Sequence, residues 1–324
     1  MKIQTSSPDL AFQLFGDIPL NSLDAASPDV FPGFEFQDDA GPGLLYDADM
    51  PAFPADIIIE AYSQTSQYDR MLHCSFDHPV VAIAIDGRGF HGKYGRTWHS
   101  YPGNFYLTCF FPFQKGLERV GEASPYAAMA TPYASTPSAA CGGVRAPDPG
   151  ACLPWYQAAP CVALAESLPP GTRIKWPNDL VTETPPRKLG GILTALTATG
   201  VCYGIGINLV KAPDPDDTNL LLPASVAPAL CDPERVRVGA VLMTAVSRLA
   251  LRVAQVVQDP IALLSDYRRD LAFVGRHIAL RDARSARFVA SGIFEGIDDA
   301  FCARIQGDPH PYANVDFVLS HVQS

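Results

Sequence analysis

The chain contains 324 residues, of which 48% are apolar and 18% are charged. This length and composition predict a soluble globular protein with a sizeable core. The 34 acidic residues exceed the 24 basic ones, which argues against nucleic acid as a partner, because phosphate binding depends on clustered Lys and Arg. The sequence has no apolar run of about 18 residues and no targeting leader, so we expect a cytoplasmic protein that does not contact a membrane.

The N-terminal part carries most of the negative charge. Residues 1–69 hold twelve acidic side chains and one basic side chain. Within them, residues 1–55 are rich in Asp, Pro, Gly and Phe, a composition that is typical of an extended or partly disordered segment. We therefore predict an acidic N-terminal arm over residues 1–55, whose phenylalanines could still pack on the body.

Apolar runs predict the first half of a sheet. Val80–Ile85 and Asn104–Phe111 indicate fully buried strands, and the β-branched run before Ser63 indicates a strand that gives way to a helix. Residues 114–150 are rich in Ala, Pro, Ser and Gly with little periodicity, so we expect a low-complexity surface insertion there. A helix over 153–168 and a short strand over 172–176 are predicted to follow.

The second half is predicted to close the sheet and to add a small domain. Strands over 189–197 and 201–209 are separated by a Thr-Gly turn, as in a hairpin. Helices are predicted from Asp232 to about Val257 and over 261–271. The last 50 or so residues alternate short strands with Gly and Asp turns, which indicates a small β-barrel domain.

A glycine-rich loop, His91–Trp98, lies between two of the predicted buried strands. Glycines allow close approach of a backbone to a ligand, Lys93 and Arg96 bring positive charge, and Trp98 offers a flat aromatic face. These residue types are typical of a loop that holds a phosphate-bearing ligand. For the loop alone, an ordinary polar loop with Trp98 in the core is an equally good interpretation.

Two further motifs place polar groups at strand ends. Lys175–Asp179 reads Lys-Trp-Pro-Asn-Asp, and its Asn178 and Asp179 offer hydrogen-bond acceptors where strand ends usually face a ligand. Lys188 enters a strand beside two glycines. Taken singly, an Asn-Asp turn and a solvated lysine are the alternatives.

The last motif, Gly204–Leu209, reads Gly-Ile-Gly-Ile-Asn-Leu. Glycines inside a strand weaken it unless something must approach closely. Asn208, in an otherwise apolar run, needs hydrogen-bond partners, which a ligand or the protein backbone could supply.

Together with Gly-Arg-x-Trp at 95–98 and Lys-Leu-Gly-Gly-Ile-Leu at 188–193, these motifs resemble those of the biotin protein ligases, within the biotin/lipoate ligase superfamily. The resemblance covers about residues 57–324. It implies an α+β fold in which a central mixed β-sheet is flanked by helices and a small SH3-like β-barrel follows. It also implies a catalytic domain over 56–271 and an SH3-like domain over 272–324, without an N-terminal DNA-binding domain.

The resemblance implies an enzyme, a ligase that forms a C–N bond. ATP and biotin would be its substrates, with Mg²⁺ held mainly through the phosphates, and biotinyl-AMP would be the intermediate. The implied acceptor is a lysine on the biotin carboxyl carrier domain of acetyl-CoA carboxylase and related carboxylases. The sequence leaves open which carboxylases are modified and whether the chain forms oligomers.

The resemblance also implies roles for individual residues, with Lys188, Asp179 and Lys93 carrying the chemistry. The implied biotin-binding residues are Thr65, Ser66, His91, Gly92, Lys93, Lys188 and Gly191. The implied ATP-binding residues are Lys93, Arg96, Trp98, Asn178, Asp179, Lys188 and Asn208. Joining a carboxylate to a phosphate brings two anions together, so the reaction needs such cations, and Asp179 could orient the attacking amine or take its proton.

The glycine-rich loop departs from the family pattern Gly-Arg-Gly-x-x-Gly-Arg-x-Trp. Counting back from Trp98 without a gap places Phe90-His91-Gly92 where Gly-Arg-Gly is expected. Gly87-Arg88-Gly89 matches the triplet but requires three extra residues. Either triplet could contact biotin.

Two other functions are compatible with the same scaffold. One is lipoate or octanoate attachment, which also proceeds through an acyl-adenylate but needs no polar groups in the pocket to bind a ureido ring. The other is a non-catalytic regulator that binds biotin or a nucleotide. The Trp-Pro-Asn-Asp sequence and the C-terminal domain favour biotin over lipoate, and the presence of both Lys188 and Asp179 argues against a non-catalytic protein.

Overall fold

A computed structural model describes residues 1–15, 18–23, 31–38, 41, 43–48, 50, 53–113, 149–214, 226 and 238–319. The predicted insertion at 114–150 lies outside these residues, apart from its last two positions. Those two positions already belong to a helix. The predicted helix start at Asp232 also lies outside the described residues.

A ten-stranded mixed sheet forms the centre of the molecule, in the order β2-β3-β1-β4-β5-β6-β10-β9-β8-β7. The pairs β1–β4 and β4–β5 are parallel, and the other neighbouring pairs are antiparallel. The strands are β1 (Lys2–Thr5), β2 (Leu20–Ser22), β3 (Leu44–Ala48), β4 (Asp56–Ser63), β5 (Val80–Gly87), β6 (Phe105–Pro112), β7 (Thr172–Lys175), β8 (Asp179–Glu183), β9 (Pro186–Leu196) and β10 (Gly200–Ile207). The predicted mixed sheet is confirmed.

Helices cover both faces of this sheet. Alternate residues of β4 illustrate the division, because Ile57 and Ile59 face the larger core, whereas Ile58 packs with Met71 on the other face. The short helix α2 (Gln67–Met71) lies on the second face. The helices of the larger core are α1 (Pro8–Phe15), α3 (Pro149–Ser167), α4 (Val238–Gln258) and α5 (Pro260–Arg269).

Helix α4 is long and apolar enough, by length and composition alone, to cross a membrane over Gly239–Gln258. Its contacts are those of a helix packed on a protein core. Leu242, Val246 and Leu249 are buried in the larger core. Arg252 forms an ion pair with Glu166 of α3 and another with a carboxylate of α5. The apolar side of α4 is therefore occupied by the rest of the chain.

The N-terminal segment is part of the central sheet, so the prediction of an extended arm over 1–55 is wrong for its strands. Strand β1 pairs in parallel with β4, and Ile3 is fully buried. Two aspartates, one in this segment and one just after it, bind backbone groups. Asp56 accepts a hydrogen bond from the Lys2 amide at 2.6 Å, and Asp38 accepts from the Ala61 amide at 2.8 Å.

The C-terminal residues form a small antiparallel sheet in the order β13-β12-β11-β14. Its strands are β11 (His277–Asp282), β12 (Phe288–Ile297), β13 (Ala303–Ile305) and β14 (Val315–Leu319). This agrees with the predicted small β domain, although closure into a barrel is not seen among residues 272–319. Trp176 joins this sheet to the central one, because its indole donates to the Phe301 carbonyl at 2.9 Å and its ring packs on Phe317.

Candidate functional site

A pocket opens on the α2 face of the central sheet, above strands β6, β9 and β10. Helix α2 forms one wall and the glycine-rich loop of residues 90–98 forms another. Asp316 of β14 brings the C-terminal sheet to its rim. Four sequence motifs that are far apart in the chain therefore meet in one cavity.

A carboxylate held between two lysines lies in this pocket. Lys175 ends β7 and Asp179 begins β8, so the two residues are paired across the tight turn between these strands, with Nζ–Oδ2 3.2 Å. Lys188 of β9 reaches the other oxygen of Asp179 at 2.8 Å. Gly191 lies opposite Asp179, and a Cβ there would be 3.3 Å from the carboxylate and 3.5 Å from the Lys188 amine. The absence of a side chain leaves room for the ion pairs.

The two lysines keep Asp179 ionised. Burial alone would raise the pKa of this carboxyl group, but Lys188 and Lys175 outweigh that effect and lower its pKa well below 3.8. Lys175 has 3% of its side chain exposed and Lys188 has 28%. Lys188 is therefore the cation of this pair that a ligand could reach more easily.

The glycine-rich loop is fastened to α2 through His91. Its Nε2 lies 3.0 Å from both carboxylate oxygens of Asp69, and its Nδ1 is 3.2 Å from the Gly92 carbonyl. Partial burial lowers the His91 pKa, but the hydrogen bonds to Asp69 and Gly92 outweigh it, so the pKa lies above 6.5. Lys93 follows at the start of a 3₁₀ turn, and burial lowers its pKa.

Two aromatic rings lie on glycines of β10. A Cβ on Gly206 would come within 2.6 Å of the Trp98 ring, and one on Gly204 within 2.9 Å of the Tyr68 ring. Only glycine allows both rings this close to the strand, which accounts for the glycines of the Gly-Ile-Gly-Ile-Asn-Leu motif. Lys188 lies 5.6 Å from the centre of the Trp98 ring, and the indole N–H of Trp98 has no acceptor among the described residues.

The structure brings nearly all of the predicted residues together in the pocket. The predicted residues that line it are Ser66, His91, Gly92, Lys93, Arg96, Trp98, Asn178, Asp179, Lys188, Gly191 and Asn208. In the loop, Phe90, His91 and Gly92 line the pocket, whereas the exposed Arg88 donates to the Gln64 carbonyl.

Three predicted residues have contacts that the sequence did not indicate. Thr65 does not line the pocket, because it is exposed and its hydroxyl donates to the Gln37 side chain at 2.8 Å. Arg96 forms an ion pair with Asp316 at 2.7 Å. The Asn178 amide donates to the Ile192 backbone at 2.8 Å, so it also supports strand β9.

Sequence reasoning missed several residues of the pocket. Lys175 belonged to a recognised motif but had no assigned role. Gln67 and Tyr68 directly follow the polar cluster 63–66, and the end of that cluster was the available signal. Asp316 had no local signal, because its position depends on how β14 packs against Trp176 and the loop.

The described residues offer no ready site for a resident metal. Within them, no three His, Cys, Asp or Glu side chains are grouped closely enough to hold a metal ion. Of the carboxylates that line the pocket, Asp179 and Asp316 are already paired with basic side chains, and Asp214 is exposed to solvent. These residues fit a magnesium ion that arrives with a nucleotide and is held mainly by its phosphates.

Comparison with known proteins identifies a relative by sequence. The biotin--[acetyl-CoA-carboxylase] ligase of Mycobacterium tuberculosis (strain ATCC 25618 / H37Rv) is 31% identical over 168 residues, which are 48% of this chain and 59% of the relative. The aligned part thus spans less than two thirds of that protein. No family model matches the chain. The relative confirms the resemblance that the motifs indicated.

Solved structures are similar in fold. The biotin protein ligase from Aquifex aeolicus in complex with biotin and ATP has a TM-score of 0.52 at 15% identity, covering 82% of this chain and 95% of that one. A mutant of the same enzyme in complex with biotin has a TM-score of 0.55 at 15% identity, covering 82% and 98%. At this identity the likeness shows that the chain has the ligase fold.

Proposed function

We propose that the chain attaches biotin to a lysine of a carrier domain in two ATP-dependent steps, through biotinyl-AMP. The observation that carries this proposal is the Asp179 carboxylate held between Lys175 and Lys188 beneath the glycine-rich loop. The sequence relative, a biotin--[acetyl-CoA-carboxylase] ligase, supports the same reaction.

In the first step, the biotin carboxylate attacks the α-phosphate of ATP and pyrophosphate leaves. Lys188 and Lys93 provide positive charge where these two anions meet, and such charge counts most when it is fixed in place beforehand. The ion pair between Lys188 and Asp179 holds the Lys188 ammonium group in place. Trp98 is assigned to the adenine, because its ring lies beside Lys188 and its indole N–H has no acceptor in the part of the chain that the structure describes.

In the second step, the neutral amine of the acceptor lysine attacks the carbonyl carbon of the mixed anhydride, the bond from that carbon to the phosphate oxygen breaks, AMP leaves, and the proton of the amine passes to solvent. The lowered pKa of Asp179 makes it a weak base, so we assign it to orienting the incoming amine by accepting a hydrogen bond rather than to removing its proton. The proposed acceptor is the carrier domain of a biotin-dependent carboxylase, and we place the reaction in the cytoplasm.

Exchange of labelled pyrophosphate into ATP tests the first step. With Mg-ATP, we expect biotin and not lipoate to support exchange. Lys188→Ala should slow exchange by about 10²- to 10³-fold. Lys211→Ala should not slow it, because this lysine packs on Tyr101 outside the pocket. Transfer of labelled biotin to a carrier domain then tests the second step.

The other outcomes assign a different function. Exchange with lipoate alone would indicate a lipoate-type ligase. Binding of biotin or ATP without exchange would indicate a regulator.

A further inference from the structure

A buried carboxylate lies in the wall behind the pocket, at Glu60 of β4. Its side chain has no exposed surface. Ser63, Gln67 and Arg70 all donate to it, with two bonds from the Arg70 guanidinium at 2.7 and 2.5 Å. The backbone amide of Gln37 adds another at 2.7 Å. Glu60 therefore ties β4, the following turn and α2 to the N-terminal segment.

The N-terminal segment holds the other side of this network. Arg70 donates to the Glu35 carbonyl and lies 4.6 Å from the centre of the Phe34 ring. The Gln37 side chain accepts the hydroxyl hydrogen of Thr65 at 2.8 Å. Residues 34–38 thus fix both the guanidinium that binds Glu60 and the turn that follows β4.

The network reaches the pocket through its immediate neighbours. The Ser63 hydroxyl lies 2.7 Å from the Glu60 carboxylate and 2.9 Å from the Thr65 carbonyl, so its one hydrogen is shared between these two acceptors. This hydroxyl links Glu60 to the turn before Ser66. Ser66 and Gln67 line the pocket, and the side-chain amide of Gln67 donates a hydrogen bond to the Glu60 carboxylate. A change at residues 34–38 can therefore alter one end of the pocket without touching Asp179 or its lysines.

We propose that residues 34–38 are a structural part of the ligand site, with Gln37 and Arg70 as positioning residues for the turn 63–67. The ligand held at this end is the polar ring of the carboxylic acid substrate. The identity of that ligand rests on the proposed function, whereas the positioning of the turn does not.

Gln37→Ala is the sharpest test, because it removes the bond to Thr65 while the backbone bond to Glu60 stays. Glu35→Ala is the matched control, since Glu35 contributes only its carbonyl to the network. The loss of one hydrogen bond is worth about a fivefold change, so KM for biotin should rise by about that factor in Gln37→Ala. KM for ATP and kcat should change by less than about twofold. Hydrogen exchange of the amides in 63–69 should also become faster than in the control.

Arg70→Lys is the second variant. Lysine keeps the charge but cannot make the forked pair with Glu60, so the rise in KM for biotin should exceed that of Gln37→Ala. If this variant does not fold, Gln37→Ala still decides the question.

Three outcomes are distinguishable. Gln37→Ala with the same amide exchange and the same KM as Glu35→Ala would overturn the inference. An equal rise in KM for both substrates would also overturn it, because that indicates a general loss of structure. If the wild type shows no biotin-dependent exchange, the proposed function fails, while the amide-exchange comparison still judges the positioning.

Discussion

Lys188→Ala and Lys175→Ala should separate the chemical role of the lysine–aspartate cluster from its structural role. Lys188 is 28% exposed and Asp179 keeps Lys175 when it is lost, so the free energy of unfolding should fall by at most about 1 kcal/mol. Either substitution leaves Asp179 with one lysine, but Lys175 is 3% exposed, so Lys175→Ala also removes a buried side chain and should cost more, about 3 to 5 kcal/mol.

Lys188→Ala, which should change stability little, should have a large effect on the reaction rate. Lys188→Ala should slow pyrophosphate exchange by about 10²- to 10³-fold, as expected for a lost contact to charge that develops in the transition state. Urea unfolding at neutral pH and the exchange assay, applied to both variants, measure the two effects. Unchanged exchange in Lys188→Ala, or a loss of stability equal to that of Lys175→Ala, would refute this division of roles.

The pH dependence of the free energy of unfolding in acid tests the same cluster. The pKa of Asp179 is lowered in the folded state, so its contribution to stability is complete above the unfolded value of 3.8 and is lost as the pH falls through the folded pKa. Lys188→Ala removes one cation and raises that folded pKa. The loss of stability in acid should then still begin near the unfolded value but be smaller, and it should end at a higher pH than in the wild type.

Three further predictions concern other parts of the molecule. Ile3→Ala should lower the free energy of unfolding by about 2 to 5 kcal/mol, since Ile3 is fully buried, and a change as small as that of the half-exposed Leu44→Ala would contradict the assignment of β1 to the core. Gly206→Ala should displace Trp98 and raise KM for ATP, and an unchanged KM would show that the ring does not contact the nucleotide. The pKa of His91 is raised in the folded state, so its charged pair with the α2 aspartate is complete below 6.5 and is lost as the pH rises through the folded pKa. Release of biotinyl-adenylate should therefore become faster as the pH rises, and His91→Arg should remove this dependence. A flat pH profile in the wild type would contradict the prediction.

The central strands were predictable because their pattern is local. Val80–Gly87 and Phe105–Pro112 are continuous apolar runs, and burial on both faces of a sheet requires such runs. Strand β1 was missed because it is short and lies in an acidic context. Asp38, one of the residues that pointed to solvent, instead accepts a hydrogen bond from the Ala61 amide of β4, and Asp56 of β4 accepts one from the Lys2 amide of β1.

The site was predictable to the extent that its residues belong to recognisable motifs. Lys188 and Asp179 lie together in the pocket as their motifs indicated. Thr65 was assigned to the biotin-binding set by the family resemblance, and nothing near it in the sequence reveals its bond to Gln37, which is 28 residues away. The ion pair of Arg96 with Asp316 spans 220 residues and depends on the packing of two sheets, which no local pattern encodes.

The position of Trp176 has a consequence for protein engineering. The residue belongs to the motif that carries Asp179, yet its indole N–H and its ring are satisfied by Phe301 and Phe317 of the C-terminal residues. A chimaera joined near residue 272 would therefore replace the surroundings of a tryptophan three positions from Asp179. Exchanging the C-terminal sheet between proteins of this fold should succeed only when the groups that contact this tryptophan are exchanged as a matched set.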